Sequence, residues 1–207
     1  MTAQLAVPLA IAAATVGALH ALAPDHWVPI AAVSRVRGWS VRRTARVAFT
    51  CGFGHVTVSA ALGVIALVSG TAVVEALGAR TGAVGGVLLI GFGAAYALWS
   101  LRRLAARHNH PHIRDTATTW TLFAIYCADP CVAVIPIIFA AAPLSRMATL
   151  AIVMLYEAAT IATMVGFTVA ARAGAGILRG RWVERYGDSA AGGLIVATGV
   201  IVALVGW

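Results

Sequence analysis

His20-Ala21-Leu22-Ala23-Pro24-Asp25-His26 places two imidazoles, a carboxylate and a helix-breaking proline inside an apolar run over residues 4–33. Each ionisable group in hydrocarbon costs about 2.5–3.5 kcal/mol on insertion scales. Three such groups in so short a stretch need a compensating partner. Imidazole is a ligand for nickel, copper, zinc and iron, and nitrogen-rich tetragonal sites suit nickel(II) and copper(II). On an unbroken helix the three side chains do not share a face. At about 100° per residue, Asp25 lies about 140° and His26 about 240° round from His20. A break at Pro24, which has no N–H to give the preceding turn, lets them converge on one ion. The alternative is that Asp25 caps a second half-helix and pairs with one histidine.

His55 stands in Gly52-Phe53-Gly54-His55-Val56-Thr57, early in the second apolar run. The glycines let another helix approach closely, which makes His55 the natural further ligand. Its alternative is an imidazole bonded to a backbone carbonyl. Cys127-Ala128-Asp129-Pro130-Cys131 lies in the fourth run. Its thiolates and carboxylate would suit a softer ion, copper(I) or zinc. The cysteines could instead be a pair working by thiol–disulfide exchange, or small core residues. Four apart on one helix, their sulfurs share a face. Asp129, and Glu157 in the fifth run, need partners at membrane depth; each is a further candidate ligand, and Glu157 also a proton site. His108, His110 and His112 form a short tract in a loop, either an auxiliary metal-capture site or a solvated loop.

The elements that must position these residues are membrane helices. The 207 residues are 61% hydrophobic and 11% charged, with mean hydropathy +0.91; a soluble domain has about 25% charged residues. Apolar runs cover about 4–33, 47–69, 82–101, 120–142, 147–171 and 189–207. They are long and lack alternation, so they are read as six helical spans. The first is too long for a secretory signal and is expected to stay in the mature protein. The net charge of +8 comes entirely from arginine. Thirteen of the 15 arginines fall in the segments after spans one, three and five; Arg80 and Arg146 are the other two. That bias puts those loops in the cytoplasm and both termini outside, with no nucleic acid implied. Most tryptophans fall near predicted span ends, as interfacial ones do. Cys51, Cys127 and Cys131 all lie in apolar runs, unlike a secreted disulfide framework.

Span four repeats the peculiarity of span one. Pro130 and Pro136 interrupt it as Pro24 and Pro29 interrupt the first. Gly54-His55 in span two corresponds to Tyr156-Glu157 in span five. The expectation is one membrane domain over 1–207, made of repeat one (1–101), a cytoplasmic loop (102–119) and repeat two (120–207). Three spans per repeat give inverted topology, with the proline-broken helices at the substrate site. Gly78, Gly82 and Gly86 have the spacing of close helix packing.

His20-x4-Asp25-His26 resembles the H-x4-D-H signature of nickel/cobalt transporters, and Phe53-Gly54-His55-Val56-Thr57-Val58 resembles the second-helix motif of the same superfamily, the NicO, high-affinity nickel transport and UreH-like group. Pro130-Cys131 looks like the Pro-Cys element of its efflux and urease-accessory branches. The resemblance implies a metal transporter of a bacterial cytoplasmic membrane, with His20, Asp25, His26 and His55 binding Ni2+ or Co2+ as cargo. Cys127-x3-Cys131 departs from the nickel permeases and points to a softer metal. The broader superfamily includes thiol transporters of the DsbD and CcdA type, so electron transfer by Cys127 and Cys131 is the alternative function. The expected partners are the metal ion and the lipid bilayer, with a homo-oligomer left open. No phosphate loop, nucleotide motif or serine–histidine arrangement is present, so no enzyme is expected.

Overall fold

Two prolines decide where the chain turns. A computed structural model describes residues 2–69, 87–98, 101–102, 115–131, 133–174 and 181–205. Among them the regular elements are all helical: α1 (Thr2–Ala21), α2 (Pro24–Val36), α3 (Val41–Ser69), α4 (Val87–Leu98), α5 (Asp115–Ala128), α6 (Val134–Ala141), α7 (Arg146–Gly174) and α8 (Arg181–Val205). The loop histidines His108, His110 and His112, and Gly78, Gly82 and Gly86, lie outside the described residues.

Pro24 occupies the first position of α2, where a missing N–H costs nothing. Tight bonds from Leu22 N–H to the Leu19 carbonyl (3.2 Å) and from Ala23 N–H to the His20 carbonyl (3.1 Å) close α1. Ala23 then adopts an extended backbone (φ −56°, ψ 134°), and the two helices meet at a 49° bend. The interruption expected at Pro24 is therefore present. Its counterpart at Pro130 is present too: α5 stops at Ala128 and α6 starts at Val134. α2 ends at Gly38, whose φ of +62° only glycine adopts without cost. The Trp39 N–H reaches back to the Ser34 carbonyl (2.9 Å) there, as in a Schellman cap.

The 29-residue helices α3 and α7 pack on each other. α1 and α2 lie on α7; α5 and α6 lie on α3; α8 covers α2. Close approaches occur where glycine removes the side chain. A Cβ at Gly17 of α1 would stand 2.6 Å from the Tyr156 carbonyl oxygen of α7. One at Gly54 of α3 would stand 2.5 Å from the Phe123 ring and 2.7 Å from Cys127 Sγ, both on α5. α4 meets α8 in the same way, through Gly93 and Gly192.

The outside is apolar: Phe49, Phe53, Val64, Val68, Met147 and Leu204 are all exposed. Among the described residues two helices, α3 and α7, are long and apolar enough to cross a membrane, and a third span results if the bent α1–α2 pair is one. These features mark a membrane-associated protein. Trp39 departs from the interfacial expectation. It is buried, with the Arg43 guanidinium 4.8 Å from its ring centroid and Arg172 donating to its carbonyl (3.1 Å).

Candidate metal site

The break at Pro24 brings His20, from the last turn of α1, over the first turn of α2. His26 and His20 have ring centroids 4.4 Å apart, edge to face. His55 comes in from the middle of α3, its ring 5.0 Å from His26 and 6.1 Å from His20. One ring nitrogen from each residue lies within 4.8 Å of the other two, an arrangement that could hold a metal ion.

Hydrogen bonding decides which nitrogen His55 and His26 offer. His55 Nδ1 lies 3.3 Å from the Tyr126 carbonyl oxygen. That oxygen only accepts, so Nδ1 carries the proton and Nε2 the free lone pair. His26 Nδ1 lies 3.1 Å from Asp25 Oδ1, the carboxylate–histidine arrangement that orients metal-ligating imidazoles. The Nε2 atoms of His20, His26 and His55 are all buried and all without a hydrogen-bond partner. An unsatisfied buried polar atom costs about 1–3 kcal/mol. Three imidazoles that each carry such an atom and meet within 4.8 Å form a pattern that one shared cation relieves. Four-coordinate nitrogen ligands at about 2.1 Å from an ion stand about 3.4 Å apart, so the group closes slightly around its cargo.

Asp25 was expected among the direct ligands. It is instead bonded to the far nitrogen of His26, and the three-imidazole group does not include it. The alternative reading is half met: Asp25 pairs with a histidine but does not cap α2, which has no side-chain cap. His55 is carbonyl-bonded through Nδ1, and its Nε2 stays free to serve as a ligand, so the two readings are compatible.

Beside the imidazoles is a cavity of about 10 Å3, room for about one water or ion. Asp25, His26, His55, Tyr126 and Asp129 line it. Asp129 thus joins the histidines from the second proline break. The other second-half candidates do not. Cys127 is half-buried against Gly54. Cys131 is buried, with Sγ 2.8 Å from the Tyr156 hydroxyl. Glu157 is half-buried on α7, outside the histidine group. The expectation that both sulfurs share one helix face is corrected: α5 ends between them, at Ala128. All three cysteines are free thiols.

Two residues that the sequence reading passed over support the site. The Tyr126 hydroxyl reaches the carbonyl oxygens of Asp25 (3.0 Å) and His26 (2.8 Å). The Ser59 hydroxyl donates to the His55 carbonyl (2.7 Å) and accepts the Cys131 N–H (2.7 Å). Ser59 sits one turn beyond His55, and Tyr126 sits four residues before Pro130. Those spacings were the available signals.

Compared with protein-family models, curated proteins and solved structures, the chain matches none.

Proposed function

We propose that this protein carries a divalent transition-metal ion, nickel or cobalt foremost, across a bacterial cytoplasmic membrane. The observation that carries the reading is the convergence of three imidazoles from three helices, each with a buried, unpartnered Nε2. All-nitrogen ligation suits these borderline ions. The thiols that favoured a softer metal stand outside the group, and the Cys131 thiol is bonded to Tyr156. Three protein ligands leave a coordination position open, which an ion in transit needs in order to enter and leave.

The proposed architecture is six spans in two inverted repeats, with both termini outside. The packing supports it. α1 and α2 lie on α7 as α5 and α6 lie on α3, and α2 meets α3 as α6 meets α7. Exchanging the halves preserves these pairings but not the packing of α1 on α6, which α5 and α2 do not match. Rocking of one half on the other would then open the site alternately to each side.

The test is flux. Purified protein in liposomes enclosing a metal-sensitive dye should admit Ni2+ or Co2+, and His26→Ala should reduce the rate to that of empty vesicles. Equal flux by His26→Ala and wild type would end the reading.

A further inference from the structure

Three prolines follow site residues at one spacing: Pro24 after His20, Pro29 after Asp25 and Pro130 after Tyr126, each four positions on. In an α-helix, N–H of residue i bonds the carbonyl of residue i−4. Proline has no N–H. Each of these prolines therefore leaves the carbonyl of the residue four before it without its helical donor. A buried carbonyl must find another.

The three replacements differ. The His20 carbonyl takes the Ala23 N–H at 3.1 Å, which closes α1 locally. The Asp25 carbonyl shares the single proton of the Tyr126 hydroxyl, 3.0 Å away and 101 positions on, with the His26 carbonyl at 2.8 Å. The Tyr126 carbonyl takes the His55 Nδ1–H at 3.3 Å, across 71 positions. Tyr126 is fully used: its side chain fills the vacancy left by Pro29, and its main chain offers the vacancy left by Pro130.

We infer that Tyr126 is the positioning residue of the histidine site. Its hydroxyl holds the first turn of α2, and with it His26, while its proline-freed carbonyl fixes His55 in the Nδ1–H tautomer. The break in the second half is thus part of the support of a site whose ligands all come from the first. Movement at Pro130 is transmitted to two of the three imidazoles through one residue. The inference adds to the metal reading above, but its first test needs no metal.

That test is the histidine tautomer in metal-free protein. With 15N-histidine labelling, long-range 1H–15N spectra should show His55, assigned by its loss in His55→Gln, as the Nδ1–H form. Pro130→Ala returns an N–H to compete for the Tyr126 carbonyl and should shift His55 toward a mixture of tautomers. Tyr126→Phe keeps the carbonyl, so His55 should remain Nδ1–H. A wild-type His55 in the Nε2–H form overturns the inference, and so does loss of the tautomer in Tyr126→Phe. The second measurement is Co2+ affinity from its visible absorption bands. Tyr126→Phe should weaken it about 10–100-fold, the usual effect of removing an outer-shell partner. Affinity equal to wild type also overturns the positioning role, and it does so without recourse to Pro130→Ala should that variant fail to fold. If wild-type protein binds no Co2+ yet shows the stated tautomers, the metal reading falls and the backbone inference stands.

Discussion

Gly17→Ala is a small change placed where the structure leaves no room. The added Cβ would stand 2.6 Å from the Tyr156 carbonyl oxygen and 2.9 Å from Thr160 Oγ1. The carbonyl is backbone, and Thr160 is buried and bonded to the same carbonyl at 2.9 Å, so neither can rotate away. Ordinary contact begins near 3.4 Å, so α1 must retreat from α7 by about 0.8 Å. His20 lies three residues further along α1 and moves with it. Ligand geometry tolerates about 0.5 Å. His20 should therefore be pulled out of register with His26 and His55, and metal affinity should fall at least about tenfold, or about 1.4 kcal/mol. Overpacking costs about 1–3 kcal/mol, partly offset by the 0.5–1 kcal/mol or so that alanine gains over glycine in a helix. The assay is Co2+ competition against a chromophoric chelator on purified protein, with thermal unfolding alongside. Gly166→Ala is the matched control: it lies on α7 with nothing within 4 Å of an added Cβ, and should keep wild-type affinity. If Gly17→Ala binds as tightly as Gly166→Ala, the α1–α7 contact does not position His20 and the argument is refuted.

Asp25→Asn keeps the size of the side chain but removes the charge facing His26 Nδ1; Co2+ affinity should fall about 10–100-fold, less than in His26→Ala, and equal losses would restore Asp25 as a direct ligand. Gly192→Ala and Gly193→Ala are neighbours on α8 with opposite expectations. A Cβ at 192 would stand 2.7 Å from the Ala97 backbone nitrogen, and one at 193 meets nothing within 4 Å. The first should lower the unfolding midpoint by an amount equivalent to about 1–3 kcal/mol, the second should leave or raise it, and matching midpoints would show that α4 and α8 do not touch there.

The proline breaks were legible because their cause is local: a missing N–H acts on the residue four before it, whatever the fold. The histidines were legible because their cost in an apolar run is a property of residue type. What stayed hidden depends on who fills each vacancy. Asp25 could be read as ligand, or as cap and partner of one histidine; that the partner is the neighbouring His26, with no cap made, follows only once α2 is built from the break. Tyr126 looked like an ordinary aromatic in an apolar helix, and its role exists only across about 100 residues of chain. Cys131 looked like the partner of Cys127 because periodicity assumes an unbroken helix. The end of α5 at Ala128 cancels that assumption and sends Cys131 to Tyr156.

In the proposed metal site, charge would account for where the carboxylates stand. An ion held by three neutral imidazoles brings its full double charge into a medium where a bare charge is costly. Direct carboxylate ligands would offset it but would also hold the ion tightly. In the proposed site the nitrogens would make the contacts, while Asp25, behind His26, and Asp129, from the second break, line the adjoining cavity. Two carboxylates beside a divalent ion would help to balance its charge without closing its last coordination position. Asp25 belongs to the same break as two of the ligands, whereas Asp129 belongs to the break that supports them through Tyr126. Relative movement of the two breaks therefore changes half of the compensating charge and the support of two imidazoles together. In a carrier, that coupling lets one displacement lower affinity by both routes at once and so release the ion.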